Sequence, residues 1–349
     1  MSGASTAGGA TAAPDGGTRA RRDPTRLLRY VGGKLATAAF SLLAVMLTSF
    51  FLFRLLPADP VQAMTQGRAV TEEQLVAMRR EFGLDQPISQ QFLDYCLGLL
   101  SLDFGNSYKY RTPVVELIGE RIGPTVLLFG TGTLVAALLG LVLGTRAGWR
   151  RGSATDRAHT GVALTLWSVP SFWLGLLLIV VLASGIGPVP GLFPTGGMMS
   201  PGTSGVVDVT LDVAHHMVLP VTTIVAVAYA QYLMIMRSSL LDEKGGDYLT
   251  TARAKGLRDA LVLRRHAVPN ALLPTVTLIF LNIGRVVSGL ILVETVFAWP
   301  GLGSLFYEGL EVSDLPVVQA LFVLFAGAVI IMNLLAELMY PLLDPRVRV

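Results

Sequence analysis

The chain has 349 residues, of which 52% are hydrophobic and only 15% charged, and its formal net charge is +3 at pH 7. This composition is too apolar for a soluble protein of that length, and so small a positive charge gives no indication of nucleic-acid binding. The single cysteine, Cys96, excludes an internal disulfide and is interpreted as a small apolar helix residue.

Six apolar stretches are long enough to cross a hydrocarbon core of about 30 Å, which takes about 20 helical residues. Because backbone groups in lipid must hydrogen-bond within their own segment, we predict that each stretch is a helix. The predicted fold class is therefore an all-α integral membrane protein with six transmembrane helices. The predicted spans are Leu35–Leu56, Thr125–Ala147, Gly161–Ala183, His215–Met236, Leu272–Phe297 and Pro316–Tyr340.

Lysine and arginine are concentrated before span one, between spans two and three, between spans four and five, and after span six, whereas residues 184–214 and 299–315 contain neither. The positive-inside rule therefore predicts that both termini are cytoplasmic. The expected organisation is a disordered cytoplasmic tail (1–25), a first transmembrane helix (26–56), an extracytoplasmic segment (57–122), a five-helix core (123–345) with a cytoplasmic loop at 237–270, and a cytoplasmic tail (346–349).

The extracytoplasmic segment contains two helix signals. Thr71 followed by two glutamates predicts a helix start, and Gly83 predicts its end. Pro87 predicts a second start, followed by an amphipathic stretch that includes Phe92 and Leu99.

The third span begins with the run WSVPSFW, in which Pro170 is expected to kink the helix or to free backbone carbonyls. Two interpretations stay open here. The bend could line a translocation path, or it could be a packing bend with aromatic anchors.

Between spans four and five lies a polar stretch, DYLTTARAKGLRDALVLRRHAVPN, at residues 247–270. We predict a short helix that Asp247 caps and that Gly256 ends by taking a positive φ. A second helix is expected from Leu257 to His266, before Pro269.

Within the first of these helices, Leu249 and Ala252 share one face, whereas Arg253 and Lys255 project from others. Such a helix pair could transmit force to a partner protein. The alternative is an ordinary basic loop that only orients the protein in the membrane.

The spacing of this stretch resembles the EAA loop of type I ABC-transporter permeases. Residues 250–252 occupy the EAA positions, but the leading Glu is absent. Gly256 occupies the glycine position, and residues 268–269 form the final apolar-Pro pair. TARAKG followed by RHAVPNALLP resembles more closely the dipeptide/oligopeptide/nickel branch, specifically its first-permease subunits. Three further runs are similar to that branch and follow its order: EFGLDQPISQQFLDYCLGLLSLDFGNSY, RTPVVELIGERIGPT, and ETVFAWPGLG with the acidic-x-Pro step at 314–316.

The resemblance implies a permease subunit of an ATP-driven importer in the inner membrane of a bacterium. The implied partners are a second homologous permease subunit, two cytoplasmic ATPase subunits that bind ATP and Mg, an extracytoplasmic substrate-binding protein and membrane lipid, with no nucleic acid. Dipeptides or oligopeptides are the leading cargo, while nickel and glutathione-like compounds stay open. The implied ATPase-coupling residues are Asp247, Tyr248, Leu249, Ala252, Arg253, Lys255 and Gly256, with direct contact expected from all but Asp247 and Leu249.

Ionisable groups inside a span are costly and usually face a cavity or a partner. Arg285 lies mid-way along span five, Asn282 lies one turn before it, and Glu294 lies nearer the outside. Arg285 could offer its charge to a peptide carboxylate or could meet a carboxylate of a neighbouring subunit. The candidates for the translocation path are therefore Arg285, Asn282, Glu294 and Pro170.

The chain shows no pattern for catalysis or metal binding. It has no P-loop, GxSxG or HExxH pattern, so it is not expected to hydrolyse ATP itself. His215 and His216 are adjacent on a helix and point about 100° apart without a third ligand, so no metal site is predicted. The alternatives are a stand-alone transporter or channel, which the lack of an evident inverted repeat disfavours, and a Ser/His membrane hydrolase, which lacks a motif.

Overall fold

The computed structural model describes residues 24–55, 71–81, 85–185, 190–272, 275 and 291–343. Within these residues the regular structure is helical, apart from one isolated bridge between Asn106 and Pro113. In chain order the helices are α1 (Pro24–Leu55), α2 (Glu72–Glu81), α3 (Ile88–Ser101), α4 (Val114–Trp149), α5 (Ala154–Trp167), α6 (Ser171–Leu178, continued by a π turn, Ile179–Ala183), α7 (Val206–Glu243), α8 (Asp247–Ala254), α9 (Asp259–Val262, continued by a π turn, Leu263–Ala267), α10 (Leu302–Glu311) and α11 (Leu315–Leu343).

Four of the described helices are long and apolar enough to span a membrane. They are α1 over Leu28–Leu52, α4, α7, and α11 over Leu315–Leu338. They correspond to predicted spans one, two, four and six. The pair α5–α6 adds a fifth if its two halves are counted as one span. Predicted span five lies mostly outside the described residues.

The chain breaks sharply at Pro170, as the sequence predicts. Helix α5 ends at Trp167, Pro170 has an extended backbone (φ −61°, ψ 132°), and α6 begins at the next residue. Proline has no N–H to donate, and it disfavours helical backbone in the residue before it. The two halves are bent by 97°. The expectation of one kinked helix is therefore wrong in degree, because two short helices meet here almost at a right angle.

The two longest helices, α4 and α7, pack closely along small residues. A Cβ at Gly140 would lie 2.5 Å from the Cβ of Tyr232, and one at Gly144 would lie 2.6 Å from the carbonyl oxygen of Leu233. The two backbones thus approach more closely than larger side chains would permit. Close approach through small residues is the usual way in which helices pack in lipid.

The two predicted helix starts in the segment after α1 are confirmed, while the predicted end at Gly83 lies outside the described residues. At the start of α2, the backbone N–H of Gln74 donates to the Thr71 hydroxyl at 3.4 Å, and the Thr71 N–H donates to the Gln74 side chain at 3.1 Å. Helix α3 begins directly after Pro87. It packs against α1, where Phe92 meets the ring of Phe50 with 5.3 Å between centroids.

Candidate functional site

The polar segment, residues 247–270, packs against the chain through an apolar underside. Leu249 is fully buried and Ala252 is 5% exposed, and both lie against Met236 and Leu240 of α7. Val262 of α9 completes the cluster. The predicted shared face of Leu249 and Ala252 is confirmed, and this face holds α8 onto the end of α7.

The two ends of α8 differ in how well they follow the prediction. The capping residue is Gly246, and Asp247 is the first helical residue, with no side-chain hydrogen bond to a backbone N–H. The predicted Asp247 cap is therefore wrong by one position, although a carboxylate in the first turn still interacts favourably with the helix dipole. At the other end, Gly256 has the predicted positive φ, +77°.

The second helix of the segment is shorter and less regular than predicted. Instead of one helix from Leu257 to His266, α9 covers only Asp259–Val262 and then continues as a π turn. Val262 and Ala267 are both fully buried. Residues five apart lie about 140° apart on an α-helix, whereas a turn with i→i+5 bonding brings them close to one face. The π turn thus allows both side chains to point inward.

Trp149, the last residue of α4, joins the polar segment to a second long helix. Its indole Nε1 donates to the Asp259 carboxylate at 2.8 Å, and the Arg253 Nε donates to the other oxygen of that carboxylate at 3.3 Å. The Arg253 guanidinium and the Lys244 ammonium lie 5.6 Å and 5.3 Å from the indole ring centre, within the range of cation–π attraction. Sequence reasoning missed Trp149, because its partner is 110 residues away.

The opposite face of the polar segment is exposed and basic. Tyr248 is 38% exposed, and its hydroxyl donates to Glu243. The exposed cations of this face are Arg253, Lys255, Arg258, Arg264 and Arg265. Burial of Ala252 does not fit the direct partner contact expected for it, because its methyl group is covered by this chain. The segment therefore divides into residues that pack inward and residues that present charge outward.

Of the four residues expected on a translocation path, two fall on described positions. Pro170 is exposed at the break between α5 and α6, beside the half-exposed indoles of Trp167 and Trp173. Arg285 and Asn282 lie outside the described residues.

Glu294 is fully buried in this conformation. Its carboxylate accepts the Thr125 hydroxyl at 2.7 Å and the backbone N–H groups of Gly303 at 2.7 Å and Ser304 at 3.0 Å. Thr125 in turn accepts the N–H of Leu302 at 2.8 Å. This is not the position expected of a group that lines an open path. The side chain holds the first turn of α10 against α4.

Asp314, in the acidic-x-Pro step before α11, organises a second loop at the same end of α4. Its carboxylate accepts the Ser107 hydroxyl at 2.5 Å and the backbone N–H groups of Tyr108 and Lys109, each at 3.1 Å. It is 1% exposed. We call residues 103–113 and 298–314 together the rim. The sequence run alone did not indicate that this acid holds a loop some 200 residues earlier in the chain.

His215 and His216 are both engaged with neighbouring backbone. The Nε2 atom of His215 lies 3.1 Å from the carbonyl oxygen of Leu192, and the Nδ1 atom of His216 lies 2.8 Å from that of Asp212. In the part of the chain that the structure describes, no three His, Cys, Asp or Glu side chains are grouped as metal ligands would be. The His215 imidazole therefore contacts the loop before α7, whereas that of His216 stays within α7 itself.

Comparison with known proteins covers almost the whole chain. Residues 137–349 match the family described as binding-protein-dependent transport system inner membrane component, and residues 27–129 match its N-terminal component. The chain is 35% identical over 336 residues to the dipeptide transport system permease protein DppB of Escherichia coli K12, covering 92% of this chain and 99% of that protein.

Two further relatives have similar coverage. The oligopeptide transport system permease protein AppB of Bacillus subtilis is 34% identical over 307 residues, covering 88% of this chain and 95% of AppB. The glutathione transport system permease protein GsiC of Salmonella typhi is 35% identical over 323 residues, covering 92% and 99%. The resemblance noted from the sequence is thereby confirmed. The chain belongs to the family of binding-protein-dependent transport system inner membrane components, as a multi-pass permease subunit of the inner membrane that is not itself an enzyme.

Proposed function

We propose that this permease takes up short peptides in an ATP-driven importer, and that residues 247–270 couple it to cytoplasmic ATPase subunits. The observation that carries the proposal is the two-sided construction of the polar segment. Its apolar underside is packed on α7, its Asp259 is bonded to the end of α4, and its basic face is exposed.

This construction is suited to transmitting the movement of a bound partner to the membrane helices. A partner that moves α8 also moves the ends of α4 and α7. Leu249 and Ala252 pack on α7, and Arg253 of α8 bonds to Asp259 of α9, which accepts from Trp149 of α4. The two long helices pack against each other through Gly140 and Gly144, so they move as one body. Rigid-body motion of packed helices is a common means of switching between two states.

The assembly that we propose contains this chain, a second homologous permease subunit, two ATPase subunits that bind ATP and Mg, and an extracytoplasmic substrate-binding protein. This chain would form half of the pathway and would cross the membrane six times. Both termini and the polar segment would lie on the cytoplasmic side, and the rim would lie outside. The basic character of the polar segment supports this orientation. The domain limits proposed are 1–25, 26–56, 57–122, 123–345 and 346–349.

Short peptides are proposed as cargo because the relatives' names specify dipeptide, oligopeptide and glutathione transport. These compounds share amide bonds and a free carboxylate. Within the pathway we propose roles for Pro170 at the break, and for Asn282 and Arg285, whose guanidinium would attract a peptide carboxylate. Glu294 is omitted from this set because its carboxylate already accepts three hydrogen bonds within the chain.

The coupling proposal is tested by replacing Gly256 with Leu. A Cβ there would have open space around it, so the cost comes from the backbone at φ +77°. A left-handed backbone costs a non-glycine residue about 1–2 kcal/mol, which is about tenfold in an equilibrium constant. We expect peptide uptake by membrane vesicles to fall by about that factor, with insertion and rim structure retained.

Gly152 provides a matched control for this experiment. It also has a positive φ, +79°, with open space around its Cβ position, but it lies in the turn between α4 and α5. Gly152→Leu should leave uptake near that of the wild type. Equal losses in both variants, or no loss in Gly256→Leu, would contradict coupling through the polar segment. Co-elution of ATPase subunits with the wild type, and weaker co-elution with Gly256→Leu, would support the contact itself.

A further inference from the structure

Helix α3, Ile88–Ser101, has an apolar strip that no other described part of the chain covers. Leu93, Leu97 and Leu100 are 51%, 54% and 77% exposed. At 100° per residue these three leucines fall within an arc of about 60°. Leu102, just past the helix, is 62% exposed. An exposed row of leucines of this kind requires a partner or a lipid environment.

The helix has three sectors, and only one of them faces the protein. Phe92, Tyr95 and Leu99 point towards the chain, where the rings of Phe92 and Tyr95 lie 5.3 Å and 5.6 Å from that of Phe50. The polar side chains of Gln90, Asp94 and Ser101 lie within about 40° of one another on an adjoining sector, of which Asp94 lies furthest from the leucines, about 60° from Leu97. The leucine strip lies between these two. A helix at a membrane surface, beside a protein, needs this arrangement of protein, lipid and water sectors.

The depth of α3 relative to α1 agrees with such a position. Lys34 marks one end of the apolar part of α1, and Phe50 lies 16 residues further on, about 24 Å away along a helix. A hydrocarbon core is about 30 Å thick, so Phe50 lies close to its far boundary. Tyr95 of α3, whose ring lies 5.6 Å from that of Phe50, is of a residue type enriched at that boundary.

Exposed apolar side chains also lie on α1, beside the place where α3 packs. Next to Phe50 on α1, Phe51 and Leu52 are 46% and 47% exposed at the end of a membrane span. Phe50 contacts both Phe51 on its own helix and Phe92 on α3.

We propose that α3 lies along the membrane surface on the rim side and inserts Leu93, Leu97 and Leu100 among the acyl chains. The helix is held to α1 by Phe50 and keeps Gln90 and Asp94 in the headgroup water. It therefore anchors the segment between α1 and α4 to the bilayer at a fixed depth. This inference depends on membrane insertion of α1 and is independent of the coupling role proposed for residues 247–270.

The test places a nitroxide spin label on the helix in the complete transporter, in membrane vesicles. Cys96 is the only cysteine of the chain, so Cys96→Ala gives a background in which Leu97→Cys carries the single label on this subunit. Asp94→Cys, about 60° from Leu97 and about 100° from Leu93, is the matched control on the polar sector of the same helix. Relaxation by dissolved oxygen reports lipid exposure, and relaxation by a water-soluble nickel chelate reports water exposure.

We expect the label at position 97 to respond several-fold more to oxygen than to the chelate, and the label at position 94 to show the reverse. Labels at Leu93→Cys and Leu100→Cys should follow position 97, which keeps the test valid if one variant fails to assemble. Protection of all three leucine positions from both reagents would overturn the proposal in favour of a protein partner. A stronger response to the chelate at these positions would overturn it in favour of open water.

Discussion

The polar segment and the rim lie at opposite ends of α4, and in the described residues the rim adds buried carboxylates to the apolar packing that both ends share. At the Trp149 end, α8 packs through Leu249 and Ala252 in an apolar cluster. At the Val114 end, the two rim loops are held by the buried carboxylates of Glu294 and Asp314, each of which accepts three hydrogen bonds.

The difference matters because apolar contact has no preferred direction, whereas a hydrogen bond does. An apolar face tolerates small shifts, since the area buried changes little. A buried carboxylate that loses a donor leaves unpaired polar groups in a poorly solvated place. The rim is therefore rigid, whereas the polar segment can move together with the helices beneath it.

The largest effect is expected at Glu294. Replacing it with Ala leaves the Thr125 hydroxyl and the N–H groups of Gly303 and Ser304 without their acceptor, at about 1–3 kcal/mol each. We expect a loss of about 4 kcal/mol in stability, measured by thermal unfolding of the purified subunit in detergent. Glu311→Ala, at an exposed glutamate on α10, is the control and should have little effect. Similar unfolding temperatures for the two variants would remove the rigid-rim interpretation.

The next largest effect is expected at Asp314. Asp314→Ala removes the acceptor for Ser107, Tyr108 and Lys109, so the loop 103–113 should loosen. The free energy of unfolding should fall by about 3 kcal/mol. Trypsin cleavage after Lys109 should become faster. The control is Asp103→Ala, which removes an exposed carboxylate that accepts one N–H in the same loop, from Gly105 at 3.1 Å. Unchanged cleavage in Asp314→Ala would mean that this loop is held by something else.

A smaller effect is expected at the opposite end, from Trp149→Phe. Phenylalanine keeps a ring beneath Arg253 and Lys244 but cannot donate a hydrogen bond to Asp259. Loss of that bond lowers the free energy of unfolding by about 1 kcal/mol. Peptide uptake should fall a few-fold, while tryptic cleavage of the rim stays as in the wild type. Trp167→Phe, at a half-exposed indole of α5, is the matched control and should transport normally. A rim that loosens in Trp149→Phe would show that the two ends are not independent.

The smallest effect concerns pH at the surface of the rim. Glu308 lies 3.0 Å from the Lys109 ammonium and accepts the Tyr110 hydroxyl. Partial burial alone would raise the pKa of Glu308, but the hydrogen bonds from Tyr110 and Lys109 outweigh it and leave that pKa below its ordinary value. A lowered pKa contributes stability above the unfolded value of about 4.3 that is lost as the pH falls through the folded value.

The measurement is the difference in unfolding temperature between the wild type and Glu308→Gln. It should be small at pH 6, because exposed ion pairs contribute little, and should narrow as the pH falls below about 4.3. Lys109→Met should show the same narrowing. A difference that widens in acid would contradict the assignment.

Local features of the chain were predictable where a single residue decides the backbone. Pro170 removes a helical hydrogen bond, so a bend there was predictable, and Gly256 can adopt a positive φ at no cost. The size of the bend was not, because Pro124 and Pro220 lie inside the continuous helices α4 and α7. The inward face of Leu249 and Ala252 follows from helical spacing. The predicted N-cap of α8 was wrong by one residue, because either Gly246 or Asp247 can precede a helix. Only the surrounding chain selects between them.

The residues that hold each end together were not predictable in the same way. Trp149 and Asp259, Thr125 and Glu294, and Ser107 and Asp314 form pairs separated by 110 to 207 residues. Their residue types are compatible with many partners. The π turn after α9 likewise depends on whether Val262 and Ala267 both have an apolar neighbour.

The sequence by itself determined the family, the apolar helices, a bend at Pro170, the positive φ at Gly256, and the basic character of residues 247–270. These depend on residue type, composition and short-range spacing, which a linear chain already contains. Only the tertiary structure decided that Glu294 is buried, that α5 and α6 meet at 97°, and that the polar segment is joined to both α4 and α7. The physical reason is that burial and hydrogen-bond pairing depend on distances between remote residues, and packing alone sets those distances.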